Sequence, residues 1–467
     1  MYTPTRSIYV LVSLLWVQLL TAQPTPSEDE NLHAAIAELR GMVLSQQAEI
    51  ESQKAQIRDL QKAVAEGQGS RSGLQQTNDS GQARSTLTQK NTTGRIPKEI
   101  QSEAEPTVSS RFNLDFYGYI KLDAAYDSQR TNPGDYAFYA EPESGTGDDD
   151  SFSMTAKQTR FGMKLEAPEF QEWTSTGGIE MDFYGSGSDN AANPRIRLAY
   201  LQLERGPWTI LAGQHYDAWN TILPKSVNFA TMGQHGSLWS RRPQVRATRE
   251  FRPAGDGMLA ATIGAARTIG TDDIDEDGDG LDGGEDSGLP MLQWNLKYMP
   301  SGSPKGATFA LGGHYGREEV ERNATDRDAK YATSLVMGSV HLPLHPQFKI
   351  SGTLWTGENL GNFQGGIGQS LNLDQDTEIR ASGGWVQASW YPSSTLNLNA
   401  AYGLDDPKNG DLAAGDRARN ETFFTNLYWT FIPSTTFGLE YQYLNTDYKE
   451  QNDASTHRVQ SAFIYKF

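Results

Sequence analysis

Residues 112–125 read FNLDFYGYIKLDAA, and their side chains alternate in character along the chain. Successive side chains of an extended strand point to opposite faces, so Leu114 and Phe116 share one face while Lys121 and Asp123 share the other. One face is apolar and the other is charged or phenolic. The stretch therefore predicts a strand that lies between two different solvents.

The same period-two pattern recurs to the end of the chain. We predict sixteen strands, near residues 113–125, 152–165, 175–184, 195–204, 208–214, 244–252, 258–267, 290–299, 307–317, 329–342, 348–358, 378–391, 395–404, 421–432, 435–447 and 456–467.

The connections between these strands alternate in length. Seven are short and most contain proline, which lacks a backbone donor and favours turns. Eight are longer and polar. This alternation predicts an all-β, up-and-down antiparallel transmembrane β-barrel of about sixteen strands, with both termini on the periplasmic side. A soluble β-sandwich also alternates, but it would pack a dry core where this chain places many charged side chains.

The first 110 residues have three different characters. Residues 1–22 contain a basic start and a short apolar core, and predict a cleaved secretory signal peptide. Residues 28–66 carry apolar or amide residues at alternating spacings of three and four, which predicts an α-helical coiled coil in the periplasm. A single amphipathic helix is the alternative. Residues 67–110 are rich in Gly, Ser, Gln and Thr and predict a flexible linker before the barrel domain, 111–467.

Composition excludes several classes of function. The formal net charge is -18, which argues against nucleic acid as the main partner because phosphate binding needs a basic surface. The chain has no Cys, so it has neither disulfides nor thiol catalysis. It also lacks the H-E-x-x-H, G-x-S-x-G and phosphate-loop motifs. We therefore expect no enzyme activity and no required cofactor.

The C-terminus carries a more specific pattern. Val459, Phe463, Tyr465 and Phe467 alternate up to the last residue, an ending that resembles the assembly signal of outer-membrane barrels. The whole arrangement resembles trimeric diffusion porins of Gram-negative bacteria. With its coiled coil, its linker and the segment SRRPQVR at 240–246, the chain resembles the DcaP-like family in particular. The resemblance implies a homotrimer in the outer membrane, in contact with lipid and lipopolysaccharide. Heptad rules alone lean towards two strands.

Positive charge is concentrated in one part of this acidic chain. Residues 195–252 contain nine cations and three acids, a balance of +6. The window includes the longest connection, 215–243, which is the third long loop. In porins that this chain resembles, the third loop folds into the barrel and narrows the pore. Guanidinium groups stay charged and bind carboxylates or phosphates, and rings of Arg or Lys favour anions.

Strand parity selects the candidate pore residues. Arg246 shares a face with Gln244 and Thr248, and charge is costly on the lipid side, so we expect Arg246 in the lumen. The candidate constriction residues are Arg160, Arg195, Arg197, Arg241, Arg242 and Arg246. We expect acids on one wall of the pore and arginines on the other. In the alternative interpretation, these arginines form salt bridges and set no selectivity.

An acidic counterpart follows in the loop 268–289, which has nine acids and no cation. Its run from Asp273 matches the D-x-D-x-D-G start of a calcium loop, although the twelfth position is Gly284 and not Glu. The candidate calcium ligands are Asp273, Asp275, Asp277, Asp279 and Asp282. A solvated acidic loop is the alternative.

These patterns together predict a porin for passive diffusion of small hydrophilic solutes, with a preference for anions. The family resemblance points to organic acids such as dicarboxylates. Two alternatives stay open: a phosphate-type porin, and a structural envelope anchor that has a largely plugged barrel and a coiled coil that binds a periplasmic partner.

Overall fold

A computed structural model describes residues 112–143, 149–185, 191–253, 257–270, 283–302, 304–320 and 329–467. The chain divides into two units, Met1–Glu103 and Ala104–Phe467, and every described residue lies in the second. The predicted signal peptide, coiled coil and linker lie outside the described residues. So do the five candidate calcium ligands, which fall in 271–282.

The described part of the second unit is a closed antiparallel barrel of sixteen strands. In chain order, the strands are β1 Asn113–Asp127, β2 Ser151–Thr155 with Arg160–Glu166, β3 Thr174–Asp182, β4 Arg195–Arg205, β5 Trp208–Tyr216, β6 Arg241–Phe251, β7 Met258–Ala266, β8 Met291–Met299, β9 Thr308–Val320, β10 Ala329–His345, β11 Phe348–Glu358, β12 Arg380–Trp390, β13 Leu396–Pro407, β14 Arg417–Ile432, β15 Thr435–Tyr448 and β16 Ala454–Lys466. Each overlaps one of the predicted strands, so the predicted barrel is confirmed.

The barrel closes between its first and last strands. β1 pairs with β16 from Tyr119 opposite Lys466 to Asp127 opposite Arg458. Gly118 exchanges two backbone hydrogen bonds with Phe467, at 3.1 and 3.2 Å. A Cβ atom on Gly118 would lie 2.2 Å from the carbonyl oxygen of Arg160, so only glycine fits at this closure. The terminal residue of the chain is thus part of the ladder.

The second strand is interrupted. Its first segment pairs with the Asp127 end of β1 and its second segment with the Asn113 end, and residues 156–159 separate them. Thr159 bridges the gap: its hydroxyl accepts from the backbone N–H of Lys121 at 3.1 Å and donates to the carbonyl of Lys121 at 3.3 Å. The sequence predicts one continuous strand here, because period two alone does not reveal a local break.

The barrel is apolar outside and polar inside, the reverse of a soluble fold. Phe116 and Leu354 are 71% and 76% exposed on the outer face, whereas Asp123 and Gln460 are buried inside. Such alternation suits a strand between lipid and a polar lumen. Among the residues that the structure describes, no helix is long and apolar enough to cross a bilayer.

Candidate pore constriction

The third long loop, 217–240, lies inside the barrel; we call it L3. The backbone N–H of Ala218 donates to Gln293 Oε1 on β8 at 2.8 Å. Further along the loop, the hydroxyls of Thr221 and Ser339 on β10 are 2.6 Å apart. The backbone N–H of Lys225 donates to Gln387 Oε1 on β12 at 2.8 Å. Since these partners lie on successive parts of the inner wall, L3 runs around the inside of the barrel.

The carboxylate of Glu440 on β15 holds the tip of L3. It accepts hydrogen bonds from the Ser226 hydroxyl at 2.8 Å and from the backbone N–H groups of Val227 and Asn228 at 2.7 and 3.2 Å. A fourth donor is the side-chain amide of Asn426, at 2.7 Å. Hydrogen bonds to an ionised acceptor are shorter and stronger than neutral ones, so this residue is the principal anchor of the loop.

An apolar core lies between L3 and the inner wall. Trp219 and Leu238 of the loop pack in one buried cluster with Trp355, and Phe363 of the loop 359–379 joins the same cluster. Gly236 has a φ of +103°, and a Cβ atom there would lie 2.1 Å from the carbonyl oxygen of Gly384. The loop therefore touches the wall, and this side of the interior is filled.

Most of the candidate arginines lie on the inner face of β2 to β6. Arg195 of β4 forms a fork with Asp182 of β3, at 3.1 and 3.0 Å. Arg197 of β4 bridges Asp182 at 2.6 Å and Glu180 at 2.8 Å. Arg160 of β2 lies 3.5 Å from the same Glu180. Three candidate arginines thus share two acids.

Tyr216 at the end of β5 links these arginines to β6. Its hydroxyl accepts from Arg197 Nη2 at 3.0 Å, and its carbonyl accepts from Arg246 Nη1 at 2.9 Å. Its ring centroid is 5.6 Å from the guanidinium carbon of Arg241, and the Trp239 ring is 5.5 Å from the same carbon. We call Arg160, Arg195, Arg197, Arg241 and Arg246 the arginine wall.

Arg246 faces a cavity in the interior. The cavity holds about 260 Å³, and Lys297 of β8 also lines it, together with Thr248 and Thr262. The neighbouring Val245 is 57% exposed on the outer face, which is the parity expected when Arg246 points inward. Arg249 lies on the same outer face as Val245. Its guanidinium carbon is 5.1 Å from the ring centroid of Trp208 and 5.0 Å from that of Phe251.

Arg242 lies elsewhere. Its side chain is fully buried, 3.1 Å from the equally buried Asp217 and 4.2 Å over the Phe363 ring. A guanidinium with no exposed surface does not line the open lumen. Arg242 instead belongs to the packing that fixes the start of L3, and the sequence prediction that it faces the constriction is wrong.

The acids are not separated from the arginines. The sequence predicts acids on one wall and arginines on the other, but Glu180 and Asp182 lie among the arginines and are bonded to them. Strand parity could have found both acids, because residues two apart on β3 share a face. Five arginines against two acids still leave this wall positive.

A second group of cations lies near the tip of L3. The group consists of Lys225, Lys349 and Lys466. In the described part of the chain, none of them has an acidic partner within salt-bridge distance, and the same holds for Lys297 beside Arg246. Burial, reinforced by Lys466 and Lys349, lowers the pKa of Lys225 to about 8. The sequence analysis counted Lys225 in the basic window but did not single it out.

Comparisons with known proteins fit this architecture. The sequence model of the family described as DcaP outer membrane protein matches residues 44–264. The outer membrane channel DcaP of Acinetobacter baumannii, solved by crystallography, superposes with a TM-score of 0.64 at 19% identity and covers 78% of this chain and 100% of its own. The chain therefore matches the DcaP family over residues 44–264 and shares the barrel fold of the DcaP channel.

More distant porins share the fold beyond the DcaP family. OprB of Pseudomonas putida has a TM-score of 0.50 at 8% identity, with 76% of this chain and 94% of its own covered. Salmonella typhi OmpF, solved with daunomycin, has a TM-score of 0.50 at 14% identity, with 76% and 97% covered. No curated protein sequence matches the chain.

The described residues contain no cluster of three or more His, Asp or Glu side chains that would hold a metal ion. Because the predicted calcium ligands lie outside those residues, calcium binding stays a prediction. The same is true of the periplasmic coiled coil that the heptad spacing of residues 28–66 predicts.

Proposed function

We propose that the chain is an outer-membrane porin, not an enzyme, that passes small hydrophilic solutes by diffusion and prefers anions. The observation that carries this proposal is the arginine wall beside L3, with five guanidinium groups and two carboxylates. Rings of Arg or Lys in a narrow pore lower the energy of anions and raise that of cations. Organic acids such as dicarboxylates are the proposed solutes, because a guanidinium fork matches a carboxylate.

Passage through this pore needs no tight binding. An anion that leaves one guanidinium meets the next along the wall, from Arg195 towards Arg246 and the cavity shared with Lys297. Arg197 is buried and contributes its charge without contact with the solute. Because Glu180 and Asp182 hold part of the positive charge in salt bridges, the wall attracts anions without capturing them. Weak, multiple sites are what conduction requires.

The proposed assembly is a homotrimer in the outer membrane, in contact with lipid and lipopolysaccharide. The N-terminal coiled coil would then lie in the periplasm, since the short turns and both barrel termini share one end.

The test is the reversal potential of the full-length protein in a planar bilayer under a KCl gradient. Wild type is expected to favour chloride. In water-like surroundings, a unit charge about 6 Å from the ion path changes the energies of an anion and of a cation by about 0.7 kcal/mol each, with opposite signs. Arg246→Ala should therefore lower the anion-to-cation permeability ratio about tenfold. Arg249→Ala removes the same charge from the outer face and should leave the ratio unchanged.

The outcomes separate the alternatives. A cation-selective wild type, or equal effects of the two variants, would contradict an arginine-controlled pore. Addition of succinate or inorganic phosphate to the conducting channel then asks which oxyanion reduces the chloride current at lower concentration. Absence of any conductance would favour a plugged barrel that serves as an anchor.

A further inference from the structure

Three lysines from distant parts of the chain lie close together on the inner side of the barrel. They are Lys225 at the tip of L3, Lys349 near the start of β11 and Lys466 at the end of β16. The Nζ atom of Lys349 lies 4.9 Å from the centroid of the Tyr391 ring, and that of Lys225 lies 5.6 Å from the same centroid. Lys225 also lies 4.8 Å from the Tyr428 ring. We call these three residues the lysine cluster.

Strand parity directs the two strand lysines inward. Lys349 pairs with the buried Ser389, whereas the adjacent Phe348 pairs with Trp390, which is 50% exposed on the outer face. Lys466 follows Tyr465, which is also half-exposed outside. Both lysines lie beside short turns, so the cluster occupies the periplasmic half of the lumen.

The groups around Lys225 leave its charge unneutralised. The Asn397 side-chain oxygen accepts a hydrogen bond from Lys225 Nζ, which orients the ammonium without cancelling it. Glu440 is nearby but already accepts four hydrogen bonds from L3 and Asn426. Asp123 pairs with Lys121 at 2.9 Å. The remaining charged groups that act on Lys225 are Lys349 and Lys466, and both repel it.

We propose that the lysine cluster is a second oxyanion site, made of residues other than those of the arginine wall, at which Lys225 sets the strength of anion binding on the periplasmic side of L3. The site would take small carboxylate or phosphate anions. It rests on the proposed function, because a porin that excludes anions would have no use for it.

The charge of Lys225 is expected to change in a measurable pH range. With a pKa of about 8, the side chain is mostly charged at pH 7 and mostly neutral at pH 9. Burial raises the pKa of Tyr391, so this ring stays neutral over the same range. The lumen therefore loses positive charge as pH rises, and anion preference falls.

The experiment compares wild type, Lys225→Met and Lys225→Arg in planar bilayers at pH 7 and pH 9. The wild-type anion-to-cation permeability ratio should fall by up to about tenfold between the two pH values, which is the effect of one unit charge near the ion path on both ions. Lys225→Met should show the low ratio at both pH values, since its side chain has a similar length and no charge. Lys225→Arg should show the high ratio at both, since guanidinium stays protonated.

A variant outside L3 separates the loss of charge from a displacement of the loop. Lys349 lies on β11 and not on L3. The substitution Lys349→Met removes one of the two charges that repel Lys225. It should lower the ratio at pH 7 and move the midpoint of the pH dependence upward. A displacement of L3 would instead change the conductance in concentrated salt, which we expect to stay at the wild-type value in Lys349→Met.

A readout with succinate completes the test. Succinate added on the side of the short turns should reduce the chloride current of wild type at lower concentration than that of Lys225→Met. If wild type is anion-selective but its ratio is the same as that of Lys225→Met at both pH values, the lysine cluster is overturned and the proposed function stands. A cation-selective wild type overturns both.

Discussion

The two sides of this barrel interior use different chemistry for different tasks. On β2 to β6, charged side chains face each other and share partners, as Arg160, Arg197 and Glu180 do. On β8 to β15, the inner face is rich in amides, and they bond to the backbone of L3. The first side is suited to attract solutes, and the second is suited to hold a loop.

The difference follows from what each partner offers. A loop backbone presents N–H and C=O groups, and an amide side chain satisfies both because it has a donor and an acceptor. A passing anion presents only acceptors, and guanidinium presents only donors. Glu440 binds L3 with a carboxylate and not an amide, and it lies where several N–H groups of L3 converge.

The largest expected effect comes from removal of the Glu440 carboxylate. Glu440→Ala leaves the donors of Ser226, Val227 and Asn228 without their acceptor, at a cost of about 1–3 kcal/mol for each buried group left unsatisfied. The tip of L3 should then leave the wall, and single-channel conductance should change by roughly twofold or more as the pore widens or fluctuates. Glu440→Gln keeps one acceptor oxygen and should fall between wild type and Ala. Wild-type conductance in Glu440→Ala would mean that the apolar cluster alone holds the loop.

The next largest effect concerns the buried ion pair at the start of L3. Arg242→Met leaves the Asp217 carboxylate buried without its cation, which typically costs about 3–5 kcal/mol. We expect a lower guanidinium midpoint of unfolding in detergent micelles. Arg242→Met combined with Asp217→Leu should recover much of the loss. The exposed pair of Arg205 and Glu172 is the matched control, because exposed ion pairs contribute only about 0–1 kcal/mol. An Arg242 variant as stable as the Arg205→Ala control would refute the structural role.

The fold could be predicted from the sequence because its determinants are local. Period two identifies each strand, and the alternation of short and long connections gives their number and order. The break at 156–159 escaped prediction, since Thr159 restores the ladder with a hydroxyl that looks like any strand threonine. The inward position of L3 came from family resemblance, not from the residues.

The site could be predicted only in part because its determinants are long-range. Parity correctly directs Arg246 to the inner face, but nothing near Arg242 in sequence shows that Phe363 and Asp217 enclose it. The meeting of Lys225 with Lys349 depends on how far L3 reaches around the wall. That distance is set by three residues far along the chain. Gln387 and Asn397 lie 162 and 172 residues beyond their partner Lys225, and Glu440 lies 214 residues beyond its partner Ser226.

The smallest expected effect comes from removal of one negative charge among the arginines of the wall. Glu180 forms a salt bridge with Arg197 and lies 3.5 Å from Arg160. The substitution Glu180→Gln keeps the shape of this side chain and removes its negative charge. The wall should become more positive, and the anion-to-cation permeability ratio should rise by up to about twofold, less than for Arg246 because Glu180 is buried in the wall. Glu172→Gln makes the same chemical change in the exposed turn before β3 and should not alter the ratio. If Glu180→Gln instead lowers the ratio, then Glu180 acts mainly by orienting Arg197 and Arg160 towards the pore, and the geometry of the guanidinium groups matters more than their sum.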